Sequence, residues 1–388
     1  MDLEEHKSRP IHDVLNVTKG MLYLQTQTKY ISIPYWKGDP GIGKSALAAK
    51  LASDNNMNFF PTHFGQTPIE EISGLPYYND FNINDQIIKG TSWTIPDILT
   101  QLNVLAANNK IVIWLLDDFH LAPQEMMQLG YEMFTEKKLR GYPLPSNVAI
   151  LLAGNTSVKA GSKKNLFSAI VNRCAIFPVH MDFNFWKKNF AIPYGINPKI
   201  ISFLSNTNYK QYIQEEEQLD KPWASYRSWT NFSNILNPLE KYEKIDSNDI
   251  LYYCSAHCGT EAASKFTMFY DIFSKVNVEK IFEHKIINIP EDLTDQYIYM
   301  FACTYEFNNR HANASQNKLN EYIETFADII IRMANKKIEI ALMGLKEISL
   351  IKSSSKKLND DLYIRLKTVL NTKDPKTTSR LEDVLKLI

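Results

Sequence analysis

An α/β core with a parallel sheet, followed by a mainly helical second half, is the fold class this sequence predicts. Two uninterrupted apolar runs carry the first part: IVIWLL at 111–116 and VAILLA at 148–153. Strands buried on both faces read as continuous apolar runs, and these two alternate with amphipathic stretches, as strand–helix–strand units do. A change after about residue 181 carries the second part. Beyond it no long β-branched run recurs except Ile329-Ile330-Ile331, which sits inside a helical period.

Taken in order, residues 31–36 form a short buried strand that ends before Gly38, and 45–52 (SALAAKLA) are rich in good helix formers. Residues 59–64 are an aromatic strand, and 95–107 a helix with apolar residues at helical spacing. The run 111–116, β-branched at its start, is a central strand. Residues 123–134 are an amphipathic helix, 148–153 a second central strand, 166–173 (LFSAIVNR) a helix and 175–179 a last short strand. In the second half, 198–205 open with Pro near the first turn, where proline suits a helix. Helices are also expected over 229–236, 259–276 and 319–350. The breaks divide the chain into 1–180, 181–276 and 277–388, two or three domains being what 388 residues allow. KSSSKK at 352–357 reads as an exposed linker.

Composition excludes several classes. With 43 basic and 43 acidic residues the net charge is zero, so the chain is no wholly basic nucleic-acid coat, and a readiness to associate is expected. Four cysteines are too few for a disulfide scaffold. The charged start lacks a secretory signal and no apolar run approaches a membrane span, so a cytoplasmic protein is expected. Only eight of the basic residues are arginine, which gives weight to each one beside a motif. The lysine bias would suit a bacteriophage or a low-GC bacterium.

Gly38-Asp39-Pro40-Gly41-Ile42-Gly43-Lys44-Ser45, followed by Ala46, fits G-x-x-x-x-G-K-[ST] between a strand and a helix. The glycines let several N–H groups point at one phosphate, and the helix N-terminus faces the same anion. Lys44 would neutralise β- and γ-phosphates, and the Ser45 hydroxyl would hold Mg²⁺. Asp117 and Asp118 end the strand 111–116, at the edge where α/β sheets bind ligands. Asp117 would hold Mg²⁺ through water, and Asp118 would orient or deprotonate the attacking water; the bland alternative is that the pair caps the next helix. Asn155, at the tip of the strand 148–153, is either a turn residue or a group touching the γ-phosphate. Arg173 ends a helix, where a cation is electrostatically ordinary, and by itself it reads equally as a cap or as a catalytic group. Arg227, in SYRSW, is by itself a solvent-facing first-turn residue.

The order of these segments resembles the AAA+ ATPases and, within them, the MoxR-like group. GDPGIGKS, EISGLP at 71–76, LLDDFHLAPQEMMQLGYEMFTEKKLRGYPLP, LLAGN, AIVNRC, SYRSWTNFSNIL and CGTEAASKF at 258–266 follow one another as in that family, over about residues 10–275. The resemblance implies an AAA+ P-loop core with a parallel sheet, an α-helical lid over 181–276 and a further helical region over 277–388. It implies ATP with Mg²⁺, and a homo-oligomeric ring, usually a hexamer. Asn155 would be the sensor 1 residue, Arg173 the arginine finger reaching a neighbour's ATP, and Arg227 the sensor 2 arginine of the lid. Residues 70–76 and 77–93 sit where the family carries an insertion in its second helix, and 139–145 where it carries a hairpin; such insertions face the ring pore or a partner. A von Willebrand factor A domain protein is the partner the resemblance suggests. Most AAA+ proteins have Glu where this chain has Asp118, whose carboxylate is one methylene shorter, so slow hydrolysis is expected.

The expected function is therefore Mg²⁺-dependent ATP hydrolysis by a ring that remodels a partner protein. A nucleotide-dependent scaffold with little turnover, in a virion or defence complex, and a nucleic-acid motor or loader are the rivals. No nucleic-acid-binding motif is evident. Cys254, His257 and Cys258 lack the second ligand pair a zinc site needs. Glu215–Glu217 reads as a solvated face, and His120 as a solvated loop residue.

Overall fold

The two apolar runs lie side by side at the centre of a six-stranded sheet. The computed structural model describes residues 8–28, 32–83, 85–155, 168–215, 220–242, 245–350 and 356–386, in two compact units, Met1–Asp182 and Phe183–Ile388.

In the first unit the strands are β1 (Arg9–Pro10), β2 (Ile33–Lys37), β3 (Asn58–His63), β4 (Pro76–Ile83), β5 (Gln86–Trp93), β6 (Val112–Asp117), β7 (Lys138–Leu139), β8 (Tyr142–Pro143), β9 (Val148–Gly154) and β10 (Cys174–His180). The helices are α1 (Leu15–Gln27), α2 (Lys44–Asp54), α3 (Ile69–Ser73), α4 (Asp97–Ala106), α5 (Gln124–Glu136) and α6 (Ser168–Val171). The main sheet has the order β1-β10-β2-β9-β6-β3, with every pairing parallel. β6 and β9 are buried along their whole length. Val112, Trp114, Leu116 and Ile150 point to the face covered by α4 and α5. On the other face Trp36 Nε1 donates to Thr18 Oγ1 of α1 at 3.0 Å.

Where the sheet lacks a rung, a side chain supplies it. β2 first pairs with β9 at Tyr35 and Leu152, so Ile150 has no strand on that side. Gln25 of α1 takes its place: its Oε1 accepts from Ile150 N at 2.8 Å, and its Nε2 donates to Ile150 O at 2.9 Å. Buried backbone groups need such partners.

Residues 77–93, expected only as an insertion, form the antiparallel ribbon β4–β5, with large exposed side chains such as Tyr78 and Ile87. A second hairpin, β7–β8, turns through Arg140 and Gly141, both with positive φ. Glu132 of α5 accepts both turn amides, at 2.9 and 2.7 Å. The Arg140 guanidinium lies 4.1 Å from the Trp93 ring, and Tyr142 Oη donates to Trp93 O at 2.9 Å, so the two hairpins are tied together.

The second unit is helical: α7 (Phe183–Trp186), α8 (Pro198–Ser205), α9 (Tyr226–Tyr242), α10 (Ser247–Cys258), α11 (Thr260–Lys275), α12 (Val278–His284), α13 (Leu293–Asn313), α14 (Gln316–Lys336), α15 (Ile338–Leu350), α16 (Lys356–Lys373) and α17 (Pro375–Lys386). Phe203 sits at the hub of an aromatic cluster with Tyr209, Trp229, Phe266 and Phe269. A separate core gathers Phe307, Phe326, Ile330, Leu345 and Leu366 from α13 to α16. The single helix expected over 319–350 is two, because Lys337 is extended and the chain turns back to bury both apolar stripes in that core. Of the expected helix 166–173 only Ser168–Val171 is helical; 166 and 167 lie outside the described residues, as do 352–355 of the expected linker and Glu216 and Glu217. Among the described residues no helix is long and apolar enough to cross a membrane.

Candidate functional site

The glycine-rich loop joins β2 to α2, and its glycines are there for different reasons. Gly41 and Gly43 have φ of +81° and +86°, the left-handed region that disfavours other residues. Gly38 is a close approach: a Cβ there would stand 2.4 Å from Val179 O on β10. Gly38 N donates to Gly154 O at 3.1 Å, which ties the loop to the tip of β9. Gly43 gives α2 no side-chain cap, so the first amides of the helix stay available at the loop. Ile42 is buried, whereas Asp39 and Ala46 are exposed.

Strand order then gathers the site. β9 lies between β2 and β6, so its tip falls between the loop and the acidic pair. Lys44, 6% exposed, donates to the carbonyls of Gly38 and Asp39 at 2.8 and 3.0 Å, and to Asn155 Oδ1 at 2.9 Å. Asn155 Nδ2 reaches towards Asp118 Oδ1 at 3.4 Å. Asn155 thus bridges the cation and the carboxylate. The Ser45 hydroxyl donates to Asp117 Oδ2, and Asp117 Oδ1 accepts from Asp118 N at 3.1 Å. Asp118 itself adopts a left-handed conformation, φ 52°, that aspartate tolerates better than most residues. The donor set fits Mg²⁺, because a hydroxyl and a buried carboxylate meet as hard oxygen ligands. A lysine and a helix N-terminus beside them suit phosphate.

The expectation of a solvated His120 is not met. The turn at Phe119–Leu121 folds the ring inward, half-buried, with Nδ1 buried and unpartnered among the described residues. Burial holds its pKa below the ordinary histidine value against the pull of Asp118, and Lys44 and Lys37 add to the lowering. Tyr35, under the same strand tips, is pushed up to about 12 by burial, with Cys174 and Asp118 contributing. Neither residue belongs to a spacing motif, and only the position of His120 two residues after Asp118 hinted at the site.

Each arginine has its own setting. Arg173 immediately precedes β10, whose first residue, Cys174, pairs with Ile33 at the start of β2. It therefore stands at the N-terminal edge of the sheet, while Lys44 stands beyond the C-terminal edge. A strand rise of roughly 3.3 Å per residue puts about 15 Å between the edges. Its guanidinium lies 4.3 Å from the Tyr131 ring of α5 and donates to Tyr131 Oη at 3.0 Å. Arg227 belongs to the second unit, exposed in the first turn of α9. Ser225 and Ser228 close that turn reciprocally: Ser225 N donates to Ser228 Oγ at 2.8 Å, and Ser228 N to Ser225 Oγ at 3.2 Å.

No family model matches the sequence, and no curated protein matches it. Among solved structures, the chain is similar to the Thermotoga maritima RuvB Holliday junction branch migration motor at 13% identity, with a TM-score of 0.35, over 73% of this chain and 79% of that one. A variant of the same motor is likewise 13% identical, with a TM-score of 0.33, over 70% of this chain and 77% of that one.

Proposed function

We propose that the chain is a Mg²⁺-dependent ATPase of the AAA+ type, MoxR-like, that works as a ring, of six subunits on the family pattern, and remodels a partner protein. One observation carries the ATPase reading: Lys44, Ser45, Asp117, Asp118 and Asn155 converge at the C-terminal ends of three adjacent parallel strands.

The chemistry is attack of water on the γ-phosphorus. A bond forms from the water oxygen to phosphorus, and the bond to the β,γ-bridging oxygen breaks. ADP leaves with that electron pair, and the Asp118 carboxylate takes the water proton. Asn155 orients the water beside Asp118. Lys44 and the amides of the loop bind the phosphates and stabilise the charge that develops on them. Ser45 and Asp117 would hold Mg²⁺, which when bound neutralises β- and γ-phosphate oxygens.

The ring reading rests on Arg173. Arg173 leaves the backbone at the sheet edge opposite its own loop, a placement that suits a neighbour's nucleotide better than its own. Residues 181–276 act as a lid carrying Arg227 to the γ-phosphate, and 277–388 as a further helical region. The exposed ribbon β4–β5 and the hairpin β7–β8 are the surfaces offered to the client, with a von Willebrand factor A domain protein as the partner on the family pattern.

The test is ATP turnover per subunit against protein concentration, with Arg173→Ala alongside. Turnover that rises with concentration and nearly vanishes in Arg173→Ala supports the ring ATPase. Nucleotide binding without turnover at any concentration favours a scaffold, for which the short Asp118 carboxylate is the motive. Turnover indifferent to concentration and to Arg173 removes the ring.

A further inference from the structure

Gly154, the last residue of β9, has no room for a side chain. A Cβ there would stand 2.3 Å from the Tyr35 hydroxyl oxygen, 3.0 Å from Tyr35 Cε2 and 3.0 Å from His120 Nδ1. Tyr35 comes from β2 and His120 from the turn after β6, the two strands that flank β9. The tip of β9 is therefore gripped from both sides, one residue before Asn155. A third contact, Gly38 N to Gly154 O, fixes it to the phosphate loop.

On its Nδ1 side the His120 ring is held there by shape. Its buried Nδ1 has no partner among the described residues, and an unpaired buried polar atom costs free energy. Beyond the grip, Asn155 spans Lys44 at 2.9 Å and Asp118 at 3.4 Å, a reach that a small shift of the strand tip would spoil.

We propose that His120 and Tyr35 are positioning residues that clamp Gly154 and so set the reach of Asn155 between Lys44 and Asp118. This rests on the ATPase reading. In this role both act through Asn155, and so on turnover rather than on nucleotide affinity.

The full chain carrying His120→Ala, Gly154→Ala, or Gly154→Ala with Tyr35→Phe tests it. Turnover is measured at saturating ATP, affinity by titration with a fluorescent ATP analogue, and folding by thermal unfolding. His120→Ala and Gly154→Ala should each lower kcat at least about tenfold, since misplacing a group by an ångström costs up to about a hundredfold. Nucleotide affinity should stay within about threefold of the parent, because Lys44 and the loop are left in place. Adding Tyr35→Phe removes the 2.3 Å contact and should restore at least about a third of the lost turnover, as relief of overpacking does. Parental kcat in both single variants overturns the clamp. So do parallel losses of kcat, affinity and thermal stability without rescue. A crystal structure of Gly154→Ala gives a readout independent of turnover. Asn155 should have left Lys44 in it, and an intact 2.9 Å contact overturns the clamp. A parent chain that binds ATP without hydrolysing it sinks only the ATPase reading, and the clamp then stands or falls on that contact.

Discussion

At Asn155 one amide faces two opposite demands: its oxygen accepts a hydrogen bond from the Lys44 ammonium, and its nitrogen donates one towards the Asp118 carboxylate. Asn155→Ala should lower turnover on the order of a hundredfold, as loss of one positioned donor does, with little change in nucleotide affinity. Steady-state kinetics beside an equilibrium titration checks this, and equal losses in both would make Asn155 a binding residue. Lys44→Ala should lose binding itself, because a desolvated cation contacting phosphates is removed. The loop residues and the acidic pair were legible in the sequence because their geometry is local: glycine spacing sets the turn, and a carboxylate ends an apolar run. The inward His120 and the Tyr35 beneath it were not. Their meeting at Gly154 depends on which strands neighbour β9, and no spacing along the chain encodes that.

Gln25 does for the sheet what a strand residue would have done. Gln25→Leu keeps the apolar bulk but strands both polar groups of Ile150, so it should destabilise the first unit by about 1–3 kcal/mol. Denaturant unfolding measures it, and a change near zero would mean that Ile150 finds other partners. In the second hairpin, Arg140 is an unusual residue at positive φ, and Glu132 compensates by accepting both turn amides. Glu132→Ala should speed hydrogen exchange at Arg140 and Gly141 at least about tenfold, given roughly 1.5–3 kcal/mol for bonds to a charged acceptor. Unchanged exchange would show that the turn is held from elsewhere. Here too the sequence spoke unevenly. Continuous runs such as VAILLA declared their strands. The ribbon β4–β5 was hidden, because its residues are exposed on both sides and alternate with no fixed partner face. The break at Lys337 escaped because lysine is an ordinary helix residue, and only the burial of two stripes in one core forces the turn there.

For the whole molecule, the separation of Arg173 from its own loop makes a complementation experiment decisive. Lys44→Ala and Arg173→Ala should each be inactive alone. Mixed in equal amounts, they should regain about a quarter of parental turnover, because in a head-to-tail ring a quarter of the interfaces join an intact loop to an intact finger. A mixture as inactive as its parts would mean that Arg173 serves its own subunit or none.

The order of the sheet also governs how the chain can be made. Among the described residues β2, which leads into the glycine-rich loop, pairs with β9 and β10, whose residues follow more than a hundred positions later. At the usual pace of translation, on the order of ten residues per second, Tyr35 and Trp36 wait roughly ten seconds for their neighbours to be synthesised. During that interval the apolar strand is without its neighbours. Pairings between distant segments also form slowly. Ribosome-bound chains that stop before β9 should therefore engage a holding chaperone, and chains that extend past β10 should let it go.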